Sequence, residues 1–238
     1  MKKWQKRILL AFLVIVLLVT TFLSALVFQG YLVYLRVTKE TPIAMAIEKY
    51  PYGDDTAYDE LSEDFVHAVV ALEDQRFFER HGFDWIALIR ATLYNMSVGT
   101  MVEGGSTIGQ QVAKNLYYQG KSRGLFEKLA EVFIMYELES AYSKEEVLAL
   151  YVSMNYYGDG YWGIKQASKG YYKLNPIDLS LAQSAILAGI PNAPAIYQLS
   201  DGYDRAKRRQ KKALSRMVEE GYITQIQMNE ALEEDVHP

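Results

Sequence analysis

Residues 103–115 read EGGSTIGQQVAKN: Glu103, two glycines, Ser106-Thr107, and then Gln110, Gln111, Lys114 and Asn115 at helical spacing. Ser or Thr directly before a periodic run is a preferred helix N-cap, because its side-chain oxygen accepts a backbone N–H that the first turn leaves unpaired. A helix is therefore predicted to start at Ser106 or Thr107. Its polar face is unusual. Gln110 and Lys114 lie four residues apart on one side, and a glycine loop ahead of them would let a bulky ligand enter and then be covered. Lysine is a compact charge well suited to phosphate oxygens. Taken alone, the stretch also fits a plain capped helix.

The same punctuation recurs outward along the chain. Ser62 with Glu63 and Asp64 opens a helix carrying Phe65, Val69 and Leu72, expected to close near His81-Gly82. Asp84 can cap a second helix with Trp85, Leu88, Ile89 and Leu93 on one face. Capping boxes start at Ser143, Ser180 and Thr224, each with Glu or Gln three residues on. Gly189 and Gly221 sit where helices should stop. Long alternating strand patterns and internal repeats are missing, so the predicted fold class is mostly α.

The N-terminus is a different material. Lys2, Lys3, Lys6 and Arg7 precede an uncharged apolar run over residues 8–28. At 1.5 Å rise per residue that run is about 31 Å long, enough to cross the hydrocarbon core of a bilayer. The flanking basic residues favour an N-terminus held in the cytoplasm. A cleaved signal peptide competes with an uncleaved anchor, but the run exceeds the usual length of a signal core, and Leu23 stands where a small residue is preferred before Ala25. The predicted organisation is a basic tail (1–7), a transmembrane anchor (8–28), a junction (29–59) and a helical body (60–238).

The 238-residue chain carries a net charge of −4. Without the four basic residues of the first 28, the remainder stands at −8. Such a balance argues against nucleic acid as a partner. The absence of cysteine excludes disulfides and thiolate metal sites, and three scattered histidines do not suggest zinc.

Four further stretches could carry chemistry. Glu73, in the run EDQRFFERHG, follows the apolar residues 68–72, so its carboxylate should be partly desolvated and its pKa raised toward that of a general base; a charged helix end with local pairs such as Glu73 with Arg76 is the alternative. Glu131 lies among Leu129, Ala130, Val132, Phe133 and Met135 and needs a partner, which Lys128 could supply; a surface helix of alternating charge is the alternative there. The loop Tyr156-Tyr157-Gly158-Asp159-Gly160-Tyr161-Trp162-Gly163 could let backbone approach a partner or a sugar closely. The basic run from Arg205 to Arg216 reads as a solvated helix face, with anionic lipid headgroups as its functional alternative.

In this order and spacing, these stretches resemble the peptidoglycan glycosyltransferases, glycosyltransferase family 51. EDQRFFERHG resembles the family's first motif, GGSTIGQQVAKN its second, and residues 127–139 its third. KEEVLALYVSMNYYGDGYWGIKQASKGYY resembles the fourth, and LSLAQSAILAGIPNAP the fifth. The resemblance covers residues 60–235 and implies a mostly α, lysozyme-like glycosyltransferase domain of the monofunctional type. It further implies polymerisation of lipid II by inverting transfer. The 4-hydroxyl of an acceptor N-acetylglucosamine attacks C1 of the donor N-acetylmuramic acid, and polyprenyl diphosphate leaves.

By that resemblance Glu73 matches the general base. Lys114 and Arg123 match residues that meet the diphosphate, with Gln111 nearby. Glu131 matches a second essential acid that holds basic groups or a metal in place, and Arg76 and Arg90 fall where acceptor-side phosphates are contacted. Ser106, Thr107, Gln110 and Asn115 complete the substrate-binding set. The implied setting is the bacterial cytoplasmic membrane, crossed once with the body outside. The implied partners are lipid II, the growing glycan strand, membrane lipids and cell-wall synthesis proteins. No cofactor is required by this reading, although a divalent cation, Mg²⁺ or Mn²⁺, is compatible with the acids and the diphosphate.

Three positions depart from the family pattern: Gly109 for threonine, Glu127 for arginine and Ser153 for asparagine. Glu127 reverses a charge four residues before Glu131 and is expected to raise its pKa. Two other readings follow. The altered third motif suggests a non-catalytic scaffold in a cell-wall complex. Paired carboxylates at Glu73 and Glu131 suggest a glycoside hydrolase, against which Lys114 and Arg123 count.

Overall fold

The computed structural model describes residues 2–80, 82–84, 86 and 105–238. Its helices, in chain order, are α1 (Lys3–Glu40), α2 (Ile43–Glu48), α3 (Glu63–Glu73), α4 (Ile108–Tyr118), α5 (Leu125–Ala141), α6 (Lys144–Met154), α7 (Ile164–Tyr172), α8 (Leu181–Gly189), α9 (Pro194–Tyr197), α10 (Leu199–Glu219) and α11 (Gln225–Glu233). Among the described residues there is no strand, only an isolated bridge between Tyr156 and Trp162. The mostly α class expected from the capping signals is the class observed.

The caps explain where helices begin. Ser62 Oγ accepts the Phe65 N–H at 3.2 Å. At α4, Thr107 Oγ1 accepts from Gln110 N while Gln110 Oε1 accepts from Thr107 N, at 3.2 and 3.0 Å. Reciprocal boxes of the same kind open α6, α8 and α11. Each satisfies two donors that a helix start would otherwise leave unpaired, and losing such a cap costs about 1 kcal/mol.

Two expectations are corrected. The helix opened by Ser62 ends at Glu73, well short of Gly82. Asp74 leaves the helical region with φ −161° and ψ 75°, because its buried carboxylate is drawn to the Ile108 N–H at 3.1 Å and to the Arg80 guanidinium. The apolar helix, by contrast, does not stop at residue 28 but runs unbroken to Glu40. Over residues 8–28 its large side chains other than Leu26 are exposed, Leu17 by 64%. Beyond that only one stripe is apolar, and it packs on α5. Gly30 is buried there so closely that a Cβ would lie 2.4 Å from Leu129 Cβ, and the Tyr31 ring meets Phe133 at 5.3 Å. The Tyr34 hydroxyl donates to Glu137 Oε2 at 2.7 Å. A helix predicted from Asp84 onward lies outside the described residues, as does Arg90.

The core forms where α10 crosses α8 and α3, and where α4 is held between α5 and α6. Phe65, Ile134, Leu148, Ile186 and Leu214 are fully buried in one continuous cluster, each contributing about 1.5–3 kcal/mol relative to exposure. The glycine-rich loop closes on the protein itself. Gly158 and Gly163 have φ of 79° and 83°, and a Cβ on either would strike Gln198 or Asp54. Asp159, between them, accepts from the Tyr171 hydroxyl and Ser200 N. The close approach anticipated for a sugar or partner is thus made to the chain's own residues.

Candidate active site

The end of α3, the start of α4, the N-terminal half of α5 and the middle of α10 enclose a cleft of about 280 Å³. Six basic side chains (Arg76, Lys114, Arg123, Arg209, Lys212 and Arg216) and four acidic ones (Glu73, Asp74, Asp84 and Glu131) line it. Positive charge is concentrated here in a body that is acidic overall.

Asp74 sets the geometry. Bound to the first N–H of α4, it fixes the end of α3 against the start of α4, where a carboxylate is also favoured by the helix dipole. Burial pushes its pKa up, and the Arg80 guanidinium opposes that shift. Glu73, the preceding residue, is thereby turned into the cleft. Its Oε2 accepts from Gln111 Nε2 at 2.9 Å, and its Oε1 lies 3.4 Å from Arg209 Nη2. Arg76, the expected local partner of Glu73, pairs instead with Asp84.

Across the cleft Glu131 is 1% exposed and accepts from Arg123 Nη1 at 2.5 Å. Its partner is therefore Arg123 rather than Lys128. Burial raises its pKa, against the lowering effects of Arg123, Lys114 and Lys128. Glu127, which was expected to repel it, turns its Oε2 to the Gly124 N–H at 2.8 Å and completes the cap of α5. Lys114 is the mirror case: burial lowers its pKa, Arg123 lowers it further, and Glu131 and Glu73 oppose the shift. Among the described residues Lys114 makes no hydrogen bond and no ion pair.

Of the remaining candidates, Ser106, Thr107 and Gln110 line the cleft, but Thr107 and Gln110 are bound to each other as the cap of α4. Asn115 lies outside the cleft lining; it is buried and donates to Asn155 Oδ1 at 3.2 Å, tying α4 to the end of α6. Ser153 is also remote, with its hydroxyl directed at the Thr56 carbonyl. Gly109 has a packing reason, since a Cβ there would lie 2.7 Å from Met135 Cγ and 2.9 Å from Glu139 Oε1.

The sequence reading missed α10. Arg209, Lys212 and Arg216 belong to the cleft rather than to a merely solvated face. Arg209 reaches Glu73 past Gly189, where a Cβ would lie 2.6 Å from Arg209 Cγ. Its Nε is buried and has no acceptor among the described residues. The available signal was spacing: 205, 209, 212 and 216 form one stripe at helical period, about 100° around the helix from the buried Ala206, Ala213 and Met217.

No group of three or more His, Asp or Glu side chains among the described residues is arranged to hold a metal. The acids of the cleft are taken up by cations, Glu131 by Arg123, Asp84 by Arg76, Asp74 by Arg80 and Glu73 by Arg209. This donor set does not fit a protein-held divalent ion.

The family model described as Transglycosylase matches residues 39–218. The chain belongs to the transglycosylase family. Penicillin-binding protein 1A of Neisseria flavescens is 39% identical over 78% of this chain and 24% of its own length. The protein of the same name from Aquifex aeolicus is 38% identical over 73% of this chain and 24% of its own. The chain thus spans about a quarter of the length of the curated relatives it matches. The crystal structure of Haemophilus influenzae penicillin-binding protein 1A aligns with 55% of this chain and 16% of its own, at 24% identity and a TM-score of 0.38. The family model begins within α1, ahead of the body boundary that the sequence pattern puts at residue 60.

Proposed function

We propose that this transglycosylase-family chain polymerises lipid II into glycan strands by inverting transfer, releasing polyprenyl diphosphate. The observation that carries the reading is the placement of one carboxylate, Glu73, at the edge of a basic cleft whose Lys114 makes no ion pair among the described residues. The reaction makes two demands, a base for the acceptor hydroxyl and positive charge for the departing diphosphate.

In this reading Glu73 takes the proton of the acceptor 4-hydroxyl as that oxygen bonds to C1 of the donor sugar. The C1–O bond to the diphosphate breaks on the opposite face, and both its electrons leave with the phosphate. Gln111 holds the Glu73 carboxylate in orientation. Lys114 and Arg123 meet the charge that grows on the departing diphosphate, and Glu131 tethers Arg123 for that task. Lys114, half-buried and without a hydrogen bond or ion pair among the described residues, and the buried Nε of Arg209 are donors that a substrate anion would satisfy. Glu131 is committed to Arg123 and so is not free to hold a metal.

The exposed apolar stretch of α1 is long enough to cross a bilayer. We infer that it anchors the chain with the basic tail in the cytoplasm and the cleft outside, where a lipid-linked substrate is met at high local concentration. The hydrolase reading loses support, because Glu131 bound to Arg123 is poorly placed to donate a proton.

The test is polymerisation of labelled lipid II by detergent-purified chain beside Glu73→Gln, with products separated by glycan length. Ladders from the parent, and a loss of about 10²–10⁴ in turnover with retained lipid II binding in the variant, are expected. Near-parental turnover in Glu73→Gln would remove Glu73 as the base. No ladder from a folded parent that still binds lipid II would favour the scaffold reading.

A further inference from the structure

A second concavity runs from the first turns of α3 along residues 52–58 to α6 and shares no lining residue with the cleft. Two hollows of about 480 and 780 Å³ meet at Tyr58 and Glu145. Their character is the reverse of the cleft's. Asp54, Asp55, Asp59, Glu63, Glu145 and Glu146 line them, and no lysine or arginine does. Aromatic rings stand between the carboxylates. Tyr58 meets Phe78 edge-on at 6.5 Å, Tyr222 stacks on His67 at 4.1 Å, and Tyr52 stacks on Trp162 at 4.6 Å.

Some of the acids serve the fold. Asp54 accepts the backbone N–H of Lys165, and Glu146 completes the cap of α6. Glu63 lies 3.9 Å from His67. Asp59 and Glu145 serve neither purpose. Both are exposed, and among the described residues neither has a hydrogen bond or an ion pair. Tyr52 and Phe78 remain 51% and 41% exposed, and rings left in water beside a groove mark surfaces that are covered in use.

We propose that this groove is a docking site for an extended basic segment of a partner protein. Its arginine or lysine side chains lie on the Tyr58 and Tyr222 rings and pair with Asp59 and Glu145. Aromatic faces attract guanidinium and ammonium groups, and arginine stacks on them as well as pairing with carboxylates. Charge complementarity selects the occupant. An anionic lipid surface, or a glycan strand carrying carboxylates, would meet six acids of its own sign. The groove is independent of the catalytic reading, since it contains none of the cleft residues.

The experiment measures binding of fluorescein-labelled octapeptides to the full chain in a neutral detergent. One peptide alternates arginine with leucine, the other glutamate with leucine, and the uncharged sugar chitotetraose serves as competitor. The groove variant is Asp59→Lys/Glu145→Lys. A charge-matched control, Glu230→Lys/Glu233→Lys, alters exposed positions on α11, and circular dichroism verifies that both are folded. The arginine peptide is expected to bind the parent and the control within twofold of each other, to lose at least tenfold affinity for the groove variant, and to be unaffected by the sugar. The glutamate peptide should not bind. Equal weakening in groove variant and control would reduce the effect to diffuse charge and overturn the proposal. So would parental affinity in the groove variant. Displacement of the peptide by chitotetraose would make the groove a sugar site instead.

Discussion

The two walls of the cleft hold their carboxylates differently. On the α4–α5 side, Glu131 is buried and bound to Arg123 at 2.5 Å, beside a Lys114 that burial makes harder to protonate. On the α3–α10 side, Glu73 shares its oxygens between a neutral amide at 2.9 Å and Arg209 at 3.4 Å. The first wall keeps charges where their own hydration would not put them. Such charges cost stability, and the cost is repaid only if something else uses the field they create. The second wall keeps a carboxylate within reach of an incoming hydroxyl. One wall is built to stay fixed and the other to exchange partners.

The largest effect that could break this contrast is the Glu73→Gln loss described above, which should come without a large change in stability because the amide keeps the contact with Gln111. Next is Lys114→Met. Turnover on lipid II should fall by about 10²–10³, the usual cost of removing one donor from a developing charge, while the melting midpoint at neutral pH rises. The sign follows from the lowered pKa. The desolvation penalty of charged Lys114 is fully present below its lowered folded pKa and fades as pH rises toward the ordinary lysine value of 10.5. The advantage of the variant should therefore shrink over that window. A midpoint below that of the parent at pH 7 would mean that Lys114 is satisfied after all.

Glu131→Gln should be milder in turnover, about tenfold, because it acts by releasing Arg123 rather than by removing a cation. Its pKa is raised, so the burial penalty on the carboxylate is present above the folded value and vanishes as pH falls to the ordinary 4.5 and below. Melting curves of variant and parent should converge there. A strong destabilisation at pH 7 would instead make Glu131 a structural anchor. The smallest effect belongs to Glu127→Arg. Since Glu127 caps α5, the substitution should cost about 0.5–1 kcal/mol of stability, read from the urea midpoint, and change turnover little. A large gain of activity from an inert parent would sharpen the contrast in an unexpected way and favour the scaffold reading.

What was legible in the sequence was local. Ser62, Thr107, Ser143, Ser180 and Thr224 all cap helices because capping is settled within one turn of chain. The burial of Glu131 was legible too, from its apolar neighbours on the same helix. Its partner was not, since Arg123 reaches it from the loop ahead of α5 while Lys128, closer in sequence, does not. Asn115 joined the substrate-binding set through the resemblance of its motif, yet a helical step of about 100° puts it on a different face from Lys114, and it turns to Asn155.

The sequence alone determined an apolar helix of membrane-crossing length, a capped helical body, and the identity of the acids and cations available to the chemistry. Tertiary structure decided which of them meet. Asp74 draws α3 to a stop against the start of α4, Gly189 admits Arg209 to Glu73, and three residues of a basic stripe on α10 become part of the cleft. Pairing across the fold depends on how helices cross, and crossing is set by packing many residues away from the groups that meet.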